Sequence, residues 1–206
     1  MGARIFTISR EAEVTLEVKR SHFIARSFKC ATPEAALAAV KRTRQIYQDA
    51  SHNCWAYRAG VSGEQARYND DGEPQGTAGP PILEVLKKNQ MTNTLIIVTR
   101  YFGGIKLGAG GLVRAYGEAA KKALKDSRPK EMKLMREIRA PLPYGLLALF
   151  ENHLSREGFE IIAKDFEENV VVHLRVPVER EMAFLSFYTN LVSGKLVYTV
   201  LGERYV

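Results

Sequence analysis

Cysteine is scarce in this chain: two thiols, Cys30 and Cys54, in 206 residues. Their positions show neither metal-ligand spacing nor a disulfide framework, so a reducing cytoplasm is the expected compartment. No apolar run approaches the roughly 20 residues of a membrane span, and no secretory leader pattern opens the chain. Phe6 stands where a myristoylation signal wants Ser or Thr. No membrane partner is expected. The standard nucleotide loops are missing as well. The phosphate loop of the Walker type ends in Gly-Lys-Ser/Thr, whereas Gly110-Gly111 is followed by Leu112-Val113. Gly108-Ala109-Gly110 lacks the third glycine of the dinucleotide fingerprint. No cofactor and no metal set is assigned.

What remains is ordinary in bulk and uneven in charge. The 46% hydrophobic and 26% charged fractions fit a soluble globular protein. The length allows one large domain or two small ones, with a sizeable core. The net charge is +7, but residues 1–130 hold 21 Lys and Arg against 12 Asp and Glu, a balance of +9. Residues 131–206 hold 9 against 11, a balance of −2. Such asymmetry points the first part toward a polyanion, of which nucleic acid is the commonest. A merely solvated basic surface is the other reading.

The chain is organised around residues 93–125. Leu95 to Val98 is a short apolar run rich in β-branched residues, which predicts a buried strand. A loop follows with Gly103, Gly104, Gly108, Gly110 and Gly111, and Lys106 in its middle. From Leu112 the apolar residues Leu112, Tyr116, Ala119 and Ala123 fall on one helical face. A strand, a glycine loop and a helix start present free backbone N–H groups and a positive helix end, which suit an anion. Arg100, Lys106 and Arg114 cluster around the same loop. The competing reading is that the glycines only allow tight turning and close helix packing.

A second informative stretch is acidic. Asp70, Asp71 and Glu73 fall within four residues, ahead of Gly76-Thr77-Ala78-Gly79-Pro80-Pro81. They are candidates for a hard-cation site or for acid and base work. Glu73 comes too soon for the twelve-residue calcium loop. The alternative is an Asx-rich turn whose side chains cap backbone donors and start a helix at Pro80 or Pro81. His52 and Cys54 invite a Cys–His nucleophile, but no orienting third group is evident, and Cys54 reads better as a buried small hydrophobe.

Along the rest of the chain, residues 13–30 predict two strands broken near Arg20-Ser21. Thr32-Pro33-Glu34 opens a helix. Cys54 to Arg58 and Ala66 to Asn69 predict a hairpin. Asp126 to Glu131 reads as a linker. Beyond it come a strand at 132–140, a helix entered through Pro143 and closed by Gly158, and a hairpin of 159–163 with 170–176. A helix over 179–191 and a last strand over 196–201 follow. That order is βαββαβ, the ferredoxin-like arrangement. The expected class is α+β in two domains, 1–130 and 131–206.

Three segments, SHNCWAYRAG (51–60), NDDGEPQGTAGPPIL (69–83) and TRYFGGIKLGAGGLVRAYGEA (99–119), resemble the IMPACT family, and specifically its bacterial YigZ-type members. The resemblance implies a first domain like the second domain of ribosomal protein S-five. It also implies a ferredoxin-like second domain like the fifth domain of elongation factor G. It implies a role near RNA, ribosomes or translational control, without an established reaction. Carried across by motif, the candidate phosphate-binding residues are Arg100, Tyr101, Lys106 and Arg114, with Gly103, Gly104, Gly108, Gly110 and Gly111 shaping the loop. Asp70, Asp71 and Glu73 form the possible acidic site. Two functions follow as expectations. One is a cytoplasmic RNA- or ribosome-binding protein, with a protein partner for the second domain as a further option. The other is an enzyme on a nucleotide or phosphorylated small molecule, with Mg²⁺ in the acidic loop.

Overall fold

The structure, a computed structural model, describes residues 4–206. The chain forms two compact units, the first ending at Met132 and the second spanning Lys133–Val206.

The first unit begins with the short strand β1 (Ile5–Ile8) and the hairpin β2 (Ala12–Val18) and β3 (Ser21–Lys29). Lys19 and Arg20, both at positive φ (48° and 63°), make its turn. This is the two-residue connection whose twist matches the strands it joins. Helix α1 (Pro33–Ile46) starts as its sequence predicts: Thr32 Oγ1 accepts from Ala35 N at 3.2 Å, and Pro33 fills the first turn. Then come β4 (His52–Ala59), β5 (Gln65–Asn69), α2 (Gly79–Lys88), β6 (Thr94–Tyr101), α3 (Ala109–Asp126) and β7 (Pro129–Met132). Five strands make one antiparallel sheet in the order β2-β3-β6-β4-β5.

Strand β6 is central, and alternation along it serves two cores. Leu95 and Ile97 pack with Trp55, Tyr57 and the α1 residues Ala36, Ala39 and Val40. Ile96 and Val98 pack with Cys54, Phe23 and the apolar faces of α2 and α3. A strand buried on both faces reads as an unbroken apolar run, which is why 95–98 is so visible in the sequence. Helix α3 starts at Ala109, three residues before its first apolar position, because glycines carry no periodic signal.

The run 126–131 is not a linker throughout. Its last part is β7, paired antiparallel with β1 from Ile5–Met132 to Ile8–Pro129. The β7 side chains are nearly all exposed, so this strand is held by main-chain hydrogen bonds and shows no hydrophobic alternation. Pro129 sits at its first position, where the missing N–H is tolerated.

The second unit contains β8 (Leu134–Leu142), α4 (Leu147–Glu157), β9 (Glu160–Phe166), β10 (Val170–Pro177), α5 (Glu181–Leu191) and β11 (Thr199–Tyr205). Its antiparallel sheet has the order β11-β8-β10-β9. Counted from the first strand of the unit this is 4-1-3-2, the ferredoxin-like order expected from βαββαβ. Val170, Val172, Leu174 and Val176 share one buried face under α4 and α5, with Phe150, Phe184 and Tyr188. Gly158 closes α4 in the left-handed conformation. The last strand lies later than its sequence suggests. Leu196 and Tyr198 spend their apolar surface on the core before the strand begins, and the strand itself is mostly exposed.

Candidate functional site

The site forms where the end of β6 meets the start of β4, on the sheet face covered by α3. His52 and Arg100 are register partners, as are Phe23 and Arg100. The acidic stretch between β5 and α2 closes over them, and the three carboxylates take three separate tasks.

Asp70 holds the start of α2. Its Oδ1 accepts from Ala78 N at 3.0 Å and Gly79 N at 2.8 Å, and its Oδ2 accepts from Gly76 N at 2.9 Å. A carboxylate at a helix N-terminus satisfies orphan donors and meets the positive helix end. Asp71, at φ 45°, accepts from Asn53 N at 2.6 Å and pairs with Arg44. Its own carbonyl takes the Nδ1 hydrogen of His52 at 2.8 Å. Glu73 turns inward, with its side chain only 3% exposed. Its Oε1 accepts from Arg100 Nη1 at 2.6 Å and from Tyr116 OH at 2.7 Å. The acidic residues therefore do not converge on one point, and among the described residues no group of three His, Cys, Asp or Glu side chains is placed to hold a metal ion.

Arg100 is buried with its partner, 6% exposed, between the rings of Phe23 and Phe102 at 5.5 and 5.4 Å. Ser21 Oγ accepts from its Nη2 at 3.4 Å, and its Nε–H has no acceptor among the described residues. A buried guanidinium paired this closely is a wall of the site, not a free surface cation. Tyr116 stands edge-on to Phe23, and burial pushes its hydroxyl well above the usual phenol range. Cys54 donates to the Asp70 carbonyl at 2.9 Å and lies 3.4 Å from Tyr116 OH. Burial pushes its thiol strongly up, so it is not a nucleophile.

Tyr101 leaves the group, because alternation sends it to the other sheet face. There its hydroxyl donates to Asp49 at 2.8 Å, and burial followed by this bond raises its pKa. The glycines divide by task. Gly103 lies against the β2–β3 turn, and a Cβ there would come within 2.1 Å of the Arg20 carbonyl group. Its N–H donates to Ser21 Oγ at 3.2 Å. Gly104 and Gly108 both take positive φ, and Gly108 precedes α3 at φ 74° without a side chain to cap it.

The α3 start is the open end of the site. Leu112 N bonds Gly108 O at 2.9 Å, but among the described residues nothing accepts from the N–H groups of Ala109, Gly110 and Gly111. Lys106 and Arg114 are exposed to either side of it. Lys106 lines a cleft of about 620 Å³ whose floor is Glu73, His52 and Arg100 and whose rim includes Phe102, Leu107 and Ala109. Arg114 lines a separate groove of about 280 Å³ with Lys19 and Glu118. The three cations that cluster in the sequence thus occupy three settings. His52, Tyr116 and Phe102 belong to the site although the glycine motif does not indicate them. For His52 the signal was available: it shares strand parity with Cys54 and Ala56.

Residues 19–124 match the Impact N-terminal domain, and residues 142–195 match a domain of unknown function, DUF1949. The chain is similar to the IMPACT family member YvyE of Bacillus subtilis, 39% identical over 92% of this chain and 88% of that protein. It is also similar to the IMPACT family member YigZ of Escherichia coli, 33% identical over 92% of this chain and 94% of that one. A solved structure described as a hypothetical protein superposes with a TM-score of 0.64 at 29% identity, covering 98% of this chain and 99% of the other.

Proposed function

The chain belongs to the IMPACT family, which is linked to regulation of translation, and from that premise we propose that it acts as an RNA- or ribosome-binding protein of the cytoplasm. The single observation that carries this reading is the uncapped start of α3, with the unpaired amides of Ala109, Gly110 and Gly111 flanked by exposed Lys106 and Arg114. Backbone donors on a positive helix end recognise phosphate oxygens without reading sequence. Lys106 and Arg114 add point charges on the two sides of that seat. The excess of +9 over residues 1–130 supplies the wider field that draws a polyanion in. Arg100 contributes indirectly, by fixing the strand end from which the loop departs.

The test is binding of labelled tRNA and ribosomal RNA by fluorescence anisotropy at increasing salt, with co-sedimentation on ribosomes. Affinity is expected to fall steeply with ionic strength. Lys106→Ala and Arg114→Ala each weaken binding to all sequences alike and reduce the salt slope by about 1. If neither RNA binds at low ionic strength and the protein does not sediment with ribosomes, this function is wrong.

A further inference from the structure

The cleft beside the α3 start holds an acceptor that the protein itself does not use. Both neighbours of the Glu73 carboxylate, Arg100 and Tyr116, donate to Oε1. Oε2 receives no hydrogen bond among the described residues, although the side chain is 97% removed from solvent. His52 Nε2 lies 3.9 Å from it, beyond hydrogen-bond reach. The His52 ring is fixed by its other nitrogen. A carbonyl only accepts, so Nδ1 facing Asp71 O carries the hydrogen, and in the neutral ring Nε2 is left as an acceptor. Two acceptors side by side at the foot of the cleft call for a group with paired N–H donors.

The remaining walls suit the rest of such a ligand. Phe102 is 49% exposed at the rim, with Leu107 and Leu112 also lining the cleft. These flat and aliphatic surfaces can sandwich a planar ring. Ala109, at the α3 start, and Lys106 line the same cleft. The volume of about 620 Å³ falls within the range of small-ligand pockets.

We propose that this cleft is a nucleotide pocket for a 5′-phosphorylated, amino-bearing base, with phosphate on the α3 amides and Lys106 and the base amino edge on Glu73 Oε2 and His52 Nε2. The inference rests on the α3 start taking phosphate and adds to it the chemistry of what carries that phosphate. Guanine, adenine and cytosine offer the amino group, and uracil does not. The nucleotide is either free or the first residue of an RNA with a 5′-phosphate.

The test is calorimetric titration of the full chain with GMP, AMP, CMP, UMP and inorganic phosphate. At least one of the three amino-bearing nucleotides is expected to bind about tenfold or more tighter than both UMP and inorganic phosphate. His52→Ala and Phe102→Ala, at positions that are not fully buried, each remove most of that preference. Competition by a 5′-phosphorylated but not a 5′-hydroxyl oligonucleotide then assigns the pocket to RNA ends, and its absence assigns it to free nucleotide. Equal binding of all five probes, or no binding of any nucleotide, overturns the pocket. If tRNA still binds through Lys106 and Arg114 in that case, the RNA-binding function stands and only the pocket falls. Loss of both ends both.

Discussion

At the scale of single residues, the site depends on one buried ion pair. Glu73→Ala would leave the Arg100 guanidinium buried with a weak contact to Ser21, and is expected to cost about 3–5 kcal/mol in urea unfolding. A Glu73→Leu, Arg100→Met double variant, with neither charge left, recovers part of that loss. No sequence pattern announced this pair. Residues 73, 100 and 116 lie on a loop, a strand and a helix, and only folding brings their side chains together. Tyr101 is the opposite case, since strand alternation alone separates it from Arg100. The thiols give a second residue-scale prediction. Burial raises Cys30 from 9.0 to about 11, and Cys54 moves in the same direction. Above pH 9 the unfolded chain releases the Cys30 proton while the folded chain keeps it. Stability therefore falls as pH rises from about 9 to 11, and Cys30→Ala makes the fall shallower in urea titrations across that window.

At the scale of elements, the two helices that frame the site begin in contrasting ways. The α2 start is filled by Asp70 from across the loop, and α3 has no equivalent. Asp70→Ala is expected to cost about 1–2 kcal/mol and to speed amide exchange at Ala78 and Gly79. The glycine loop divides similarly. Gly103→Ala drives a methyl into the Arg20 backbone and is expected to lower stability by about 1–3 kcal/mol. Gly104→Ala meets open space and bears only its left-handed backbone, about 1 kcal/mol. Both are read from thermal or urea unfolding. The strand, loop and helix of residues 94–126 were legible because hydrophobic periodicity and glycine speak locally. Strands β1 and β7 were not, since each has four residues, few of them buried, and the partners lie more than a hundred positions apart.

At the scale of the whole molecule, each unit has its own apolar core, so denaturation is expected to show two transitions by calorimetry. The boundary carries a sharper prediction. A fragment ending at Lys130, where the sequence places the division, loses the pairs Phe6–Glu131 and Ile5–Met132, and should melt below one ending at Met132. The βαββαβ order of the second unit was readable from element succession alone, whereas the two-stranded ribbon that completes the first was not. That ribbon has a mechanical side. Ile5 and Met132 face each other, and Lys133 leaves directly from the second of them. Tension applied between the two ends of the first unit therefore loads these hydrogen bonds one pair at a time, like a zip, together with the bonds that tie Phe6 to Gln90 and Thr92. The ribbon is a mechanical fuse, expected to part before the five-stranded sheet does.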